Sequence, residues 1–391
     1  MAIFPEITFG AVCWRNGWLK IAIINPVWAN ISGGYREYLK QILSRAAIDP
    51  AVEKILFISI PRICSDFAEI PKVETFSIGF WYHLFPNNRT LKERLEAFSP
   101  DILYSPVEKR LPHLKGIPGV IMIQNMEPFI PFSHQNSWLQ NLRLRLLRRM
   151  AVSAIRNADH VIALSEFVLK KLMDEYQLKP SKVSKIPHGA EFKASLEASQ
   201  PGLIKRNEKF IFTAGSISPA RGLEDIIDAF IVLKREQSNK DLKLIIAGGK
   251  QRFANGYYNK LRTRISQAGL EPEVIWLGFI SQAEMKWCFK NCQIFVMTSR
   301  VESFGITAVE AMTYGARVIS TRSPCLPEVF GDYAEYYNPA DSGDLSSQIN
   351  KMLAETDKSG RQLKQPLLPD YDWQSCYIRT VSLFADLTVR C

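Results

Sequence analysis

TSRVESFGITAVEAMTYGARVIST, residues 298–321, reads as a loop, a helix and a strand in that order. The run that leads into it, CQIFVMTS (292–299), is short and apolar, which suits a buried strand. A strand, a helix and a second strand in sequence form the repeating unit of a parallel sheet. The loop carries Ser303 and Gly305 directly before the helix starts. The first N–H groups of a helix have no intrahelical acceptor, and its dipole is positive there, so this junction is a ready anion site. Gly305 would let a ligand approach the backbone closely. Glu302 precedes the helix and Glu310 lies inside it, eight positions on. A carboxylate at Glu310 could accept hydrogen bonds from vicinal sugar hydroxyls. Two glutamates at that spacing are also ordinary on a solvated helix.

The same alternation extends in both directions. KFIFTAGS (209–216), LKLIIAGG (242–249) and VIWLGF (274–279) read as strands before it, and AEYYNP (334–339) as one after it. In the first half, LKIAIIN (19–25), KILFISI (54–60), DILYSP (101–106), GVIMIQ (119–124), ADHVIALS (158–165) and VSKIPHGA (183–190) repeat the theme. Helical patterns such as REYLKQILSRA and SEFVLKKLMDEY lie between them, the second with Ser165 as its cap. The polar stretch at 191–208, with Pro and Gly, reads as a linker. The expected fold is α/β, with two Rossmann-like doubly wound domains facing each other across a cleft. Their expected spans are 1–197 and 198–371, with a final helix at about 372–391 packing back on the first domain.

A second anion signal lies in AGSISPARGL (214–223), where a turn at Gly215 and Ser216 follows a strand and Arg221 precedes a helix. Guanidinium is always charged and suits bidentate phosphate contacts. Gly33 and Gly34 follow the first strand in SGGYREYL (32–39) and would allow close approach to a ligand from the other side.

Length and composition agree with this reading. The 391 residues suit two domains, and 47% hydrophobic with 23% charged residues suits packed globular ones. No apolar run reaches the roughly 18–20 residues that span a bilayer. The opening MAIFPEITFG lacks a basic start followed by a continuous apolar stretch, so it reads as a short extension rather than an export signal. The cysteines at 13, 64, 288, 292, 325, 376 and 391 are scattered without a CxxC pair, which points to free thiols in the cytoplasm. Of the net charge of +10, residues 1–200 carry 25 Lys and Arg against 18 Asp and Glu, or +7. Charge alone leaves nucleic acid, an anionic membrane, an acidic small molecule and plain solubility open. Neither a GxGxxG after the first strand nor a P-loop lysine motif occurs, and no His, Cys and Asp cluster has metal-ligand spacing.

Residues 138–158, WLQNLRLRLLRRMAVSAIRNA, place Arg143, Arg145, Arg148, Arg149 and Arg156 on a helical pattern with Leu139, Leu142, Leu146 and Met150. A basic amphipathic helix can lie on the anionic inner face of a membrane. It can equally be a domain helix with a solvated face.

ESFGITAVEAMTYGARVIST resembles the paired-glutamate motif of the retaining glycosyltransferases of family 4, the glycosyl transferases group 1, which have the GT-B fold. SPCLPEVFGDYAEYYNPAD (323–341), the stretch from ADHVIALSEFVLKKL to KIPHGAE (158–191), SGGYREYL and YDWQ (371–374) extend the likeness over nearly the whole chain, more loosely between 40 and 120. By that resemblance Glu310 would hold the donor ribose and Glu302 the donor sugar. Ser303 and the amides of Phe304, Gly305 and Ile306 would face the diphosphate. Gly215, Ser216 and Arg221 would form the second phosphate loop, with Ser216 where the family usually has Arg. Gln124 stands where many members carry His, and could hydrogen-bond a sugar hydroxyl without shuttling a proton. His188 reads as a structural turn residue.

The resemblance implies transfer of a hexose-like sugar from a UDP- or GDP-sugar to a glycan or lipid-linked acceptor hydroxyl, in polysaccharide, lipopolysaccharide or glycolipid synthesis. It implies no metal and no other cofactor. The alternative is a sugar-nucleotide-binding subunit of a glycan-assembly complex without turnover. A nucleic-acid-binding protein is the less favoured third reading, because the chain lacks interleaved basic and aromatic motifs, so no nucleic-acid partner is expected.

Overall fold

The computed structural model of the chain describes residues 18–27, 31, 33–79, 88–129, 138–191, 195–251, 254–359 and 371–389. Cys13, Cys391 and the expected N-terminal extension up to 17 lie outside them, as do 192–194 of the expected linker. The five described cysteines are buried free thiols.

Two parallel sheets form the frame. The first holds β1 (Leu19–Ile24), β2 (Val52–Ser59), β3 (Val73–Ser77), β4 (Ile102–Ser105), β5 (Gly119–Met122), β6 (His160–Ala163) and β7 (Val183–Lys185). Its spatial order is β3-β2-β1-β4-β5-β6-β7. The second holds β8 (Phe210–Ala214), β9 (Lys243–Ala247), β10 (Val274–Gly278), β11 (Ile294–Met297), β12 (Val318–Thr321) and β13 (Ala334–Tyr337), ordered β10-β9-β8-β11-β12-β13. Helices cover both faces, so the central strands β4, β5, β6, β11 and β12 are buried at every residue. This is the GT-B architecture.

Strand β3 has no counterpart in the sequence reading. VETFS mixes polar and apolar residues without a continuous apolar run, and none of the five is fully buried. It sits at the sheet edge, pairing only with β2, so burial never selected the continuous apolar run that marks its neighbours.

In each sheet the strand order reverses once, between β1 and β4 and between β8 and β11. Loops leaving the carboxyl ends of strands on either side of such a switch point diverge and leave a crevice. The segments singled out in the sequence follow β1, β5, β8 and β11, so the topology gathers them at these two crevices.

The Trp373–Val389 helix returns to the first sheet. Tyr377 Oη donates to Asp49 at 2.6 Å, and Phe384 packs on Tyr104 with ring centroids 5.2 Å apart. An apolar cluster runs from Ile21, Tyr38 and Phe57 through Trp373 and Phe384 to Phe304 and Leu326 beside the second sheet. A polar contact also spans the halves: Glu328 accepts from the N–H groups of Glu166 and Phe167 at 2.6 and 3.0 Å. That carboxylate caps the Glu166–Tyr176 helix alongside Ser165, whose Oγ accepts from Val168 N. The described part of the linker lies along the second half, with Ser199 N donating to Ala283 O at 3.1 Å and Lys286 Nζ to Leu196 O at 2.6 Å.

Candidate functional site

Arg221 ends a 3-10 turn, Pro219–Arg221, that follows β8. Its Nη1 donates to Ser299 Oγ at 3.0 Å and pairs with the Glu302 carboxylate. The loop after β8 is thereby joined to the loop after β11. Further bonds lace the same two loops: Thr298 Oγ1 to Arg221 O at 2.6 Å and Arg300 N to Ala220 O at 2.8 Å. Arg300 makes a two-pronged pair with Asp225, at 2.5 and 2.6 Å, in the first turn of the Leu223–Leu233 helix. Tyr337 Oη and Ala340 N also donate to Asp225, at 2.9 and 3.1 Å. Burial works against the Arg300 charge, but the bonds and charges of Asp225 and Glu224 outweigh it and hold the guanidinium above its ordinary value. Neither Arg300 nor Asp225 was picked out from the sequence. The partners lie 75 positions apart and belong to no local pattern.

Gly305 is the N-cap of the Ile306–Thr313 helix at φ +87. A Cβ there would lie 2.7 Å from Leu326 Cδ2 and 2.8 Å from Phe330 Cζ. Only glycine meets both the left-handed backbone and the close approach of those side chains. The loop thus turns sharply into the helix, whose first N–H groups have no i−4 carbonyl to bond. Glu310 is half-buried one turn along, on the same face as Ile306.

Gly33 and Gly34 follow β1, as the sequence indicates. They are the first two residues of the Gly33–Ile48 helix. A Cβ on Gly34 would lie 2.8 Å from Ile306 Cγ2, whereas Gly33 has open space. Two helix N-termini, one from each half, therefore meet at the crevice, and both favour an anion. Position 34 requires glycine because a larger residue there would collide with Ile306.

Ser216 is held by Gln251, whose Nε2 donates to its Oγ at 3.2 Å. Gly215 lies against Arg221, with its Cβ position 3.4 Å from Nε. A small, partly open cavity of ≈ 10 Å³ lies at this loop, lined by Gly215, Ser216, Arg221, Thr298 and Ser299 among others.

From the first half, Gln124 follows β5. Its carbonyl accepts from Ser303 Oγ at 2.8 Å, and its Oε1 lies 2.8 Å from His188 Nε2. Its own N–H and that of Asn125 point at Glu108 Oε2 at 3.3 and 3.4 Å. Burial pushes the Glu108 carboxyl above its usual range, against those bonds, which favour its charge. Glu127, in the short turn Glu127–Phe129, is likewise raised by burial and drawn back by Arg143 and Arg221. The Arg221 guanidinium is itself lowered by burial and supported by Glu127. Glu127 and His188 are thus cleft neighbours that the sequence did not mark as site residues.

The arrangement brings Arg221, Glu302, Ser303 and Gly305 together with Gln124 and, through Ile306, Gly34. It can bind a multiply charged anion between guanidinium and helix ends, with carboxylates beside it for hydroxyls. Among the described residues no three of His, Cys, Asp and Glu come together in a way that could hold a metal ion.

Residues 45–193 match the family model described as Glycosyltransferase Family 4, and 195–365 that described as Glycosyl transferases group 1. The mannosylfructose-phosphate synthase of Agrobacterium fabrum is 26% identical over 254 residues, 62% of this chain and 56% of that one. The alpha-monoglucosyldiacylglycerol synthase of Streptococcus pneumoniae is 26% identical over 228 residues, 55% of this chain and 49% of that one. This chain therefore spans about half the length of these curated relatives. Among solved structures, Anabaena HepE in complex with UDP and glucose superposes with a TM-score of 0.71 at 20% identity, covering 94% of this chain and 100% of that one. At that identity the likeness shows the fold alone.

Proposed function

This chain belongs to glycosyltransferase family 4, and from that membership we propose that it is a retaining glycosyltransferase using a UDP- or GDP-sugar. The observation that carries the reading is the Arg221–Glu302 pair beside the helix start at Gly305, laced into one rigid unit at a switch-point crevice. Arg221 and the helix N-termini would hold the diphosphate, Glu310 the ribose and Glu302 the sugar. During transfer the bond from the sugar C1 to the phosphate oxygen breaks, and the diphosphate leaves with the electron pair. The acceptor oxygen bonds to C1 on the same face, and its proton goes to the leaving phosphate oxygen. Fixed positive groups stabilise that developing charge without reorganisation. No metal is required in this scheme, because guanidinium and helix dipoles supply the positive charge.

Thermal-shift measurements with UDP-glucose and GDP-mannose test the donor site. A ligand that binds only the folded state raises apparent stability by about 2.7 kcal/mol at a hundredfold excess over Kd. One of the two is expected to give a clear rise, and transfer or slow hydrolysis of the same compound distinguishes an enzyme from a binding subunit. No shift with either would remove the donor site.

The acceptor side of the proposal rests on the Trp138–Asn157 helix. Leu144, Ala151, Ala154 and Ile155 face the domain. Trp138, Leu139, Leu142 and Leu146 are instead 72, 53, 55 and 58% exposed. An open concavity of ≈ 480 Å³ lined by Arg148, Arg149 and Arg156 continues along the helix, which has no acidic residue. Leucines beside arginines suit the headgroup level of an anionic leaflet, and a glycolipid or lipid-linked acceptor at the cytoplasmic face of a membrane would be reached there. No described helix is long and apolar enough to cross a membrane. The protein is expected to co-sediment with phosphatidylglycerol vesicles at low salt and to be released at about 0.5 M NaCl. Replacing Leu139, Leu142 and Leu146 together by Ser should weaken that binding at least about tenfold. Equal binding to purely zwitterionic vesicles, or none to either, would remove the membrane from the reading.

A further inference from the structure

His188 lies in the segment after β7 and is 4% exposed. The rings of Tyr38, Trp373 and Phe304 surround it, with centroids 4.7, 5.7 and 5.8 Å away. These three come from the first half, the returning helix and the donor-side loop. Among the described residues, the polar side chain bonded to His188 is Gln124, at 2.8 Å.

Burial pushes the imidazole down to about 3, so it is neutral at every working pH and carries one N–H. Two arrangements satisfy the contact. His188 Nε2–H donates to Gln124 Oε1, or, with the amide reversed, Gln124 donates to the Nε2 lone pair. In either case one end of the Gln124 amide is bonded to His188. The other end is buried and has no partner among the described residues, and His188 Nδ1 is in the same condition. Buried polar atoms in folded proteins are nearly always hydrogen-bonded, and an unmet one costs about 1–3 kcal/mol. Gln124 is also tied through its carbonyl to Ser303, the residue next to Glu302.

We infer that His188 is a positioning residue. It clamps one end of the Gln124 amide so that the other end is held for a sugar hydroxyl of the bound nucleotide sugar. A hydroxyl both donates and accepts, so it can satisfy either amide orientation. A glutamine side chain alone has three rotatable bonds and would hold such a contact poorly. Pinned at its side-chain end by His188 and at its backbone by Ser303, the amide is held in one place whichever way round it lies. The inference rests on the donor-site reading above.

Calorimetric titrations with UDP, UDP-glucose, GDP and GDP-mannose test it on wild type, His188→Ala, Gln124→Ala and the double variant. The expected result is that His188→Ala binds the free nucleotide within about twofold of wild type but loses about tenfold for the matching nucleotide sugar. Gln124→Ala should show the same loss, and the double variant no more than either single one, since both act through one contact. His188→Asn, which keeps an N–H donor on a smaller side chain, should recover part of the loss. It also serves as the folded variant if His188→Ala proves unstable. Parallel losses for nucleotide and nucleotide sugar, or additive losses in the double variant, would overturn the inference while leaving the donor site standing. Wild-type protein that binds none of the four compounds would overturn the donor site itself, and this inference with it.

Discussion

Arg221→Ala is expected to weaken nucleotide-sugar binding by roughly 10–150-fold, the equivalent of about 1.5–3 kcal/mol for a hydrogen bond to a charged group. Two effects add. The variant loses the cation that the loop after β8 presents at the crevice. It also strips Glu302 of its partner, leaving a carboxylate with a side chain only 13% exposed to repel the incoming diphosphate. Arg221→Lys should recover only part of the affinity. An ammonium is a point charge and cannot bond Ser299 and a phosphate oxygen with the same planar fork. Glu302→Gln separates the two effects. It keeps the guanidinium and removes the competing charge, so free UDP or GDP should bind at least as well as to wild type, while turnover falls. Calorimetry with the nucleotide and its sugar in each variant reads both quantities. An Arg221→Ala protein that binds like wild type would place the diphosphate elsewhere.

Gly248→Ala should cost roughly 2–6 kcal/mol, summing about 1–3 for a strained backbone and about 1–3 for overpacking. Gly248 has φ +128, and a Cβ there would overlap the carbonyl oxygen of Gly215. The two residues follow the paired strands β8 and β9, and each is pinned by its own amide, Gly215 N to Ala247 O at 3.0 Å and Gly248 N to Gly278 O at 2.7 Å. The clash is therefore backbone against backbone, and no side chain can swing aside. Tm should fall by roughly 4–24 °C for a domain of this size. Any folded fraction should bind donor poorly, because relief of the clash moves the turn that lies against Arg221. Gly256→Ala is the matched control. It lies near the start of the Asn255–Gln267 helix with nothing within 4 Å of its Cβ position, and should be neutral or stabilising by up to about 1 kcal/mol. Equal melting temperatures for the two variants would contradict this account.

The contrast between these glycines shows where local reading stops. Both lie in ordinary-looking sequence, AGGKQ and NGYYN, and only the folded structure separates them, through the positive φ of Gly248 and the approach of a second chain segment to it. The same limit applies to Arg300 and Asp225, which hold the two phosphate-side loops in register from 75 residues apart. It applies to Gly33 and Gly34 as well. Glycines usually break a helix, yet here Gly33 and Gly34 begin one, and Ile306 of the other half leaves no room for a side chain at Gly34. His188 read as a turn residue from PHG, since nothing in three letters shows that three aromatic rings and Gln124 close around it.

The amino-acid sequence by itself determined the alternation of strands and helices, the division into two α/β halves and the helix start behind Ser303 and Gly305. Those features depend on burial periodicity and on backbone preferences, which are properties of neighbouring residues. The edge strand β3 escaped because an edge needs no such periodicity. Only the tertiary structure decided that Arg221 pairs with Glu302, that Gln124 is held between His188 and Ser303, and that two helix ends meet across one crevice. Each of these joins segments 64 to 272 positions apart, and side chains that distant become neighbours only when the sheets order their strands in space.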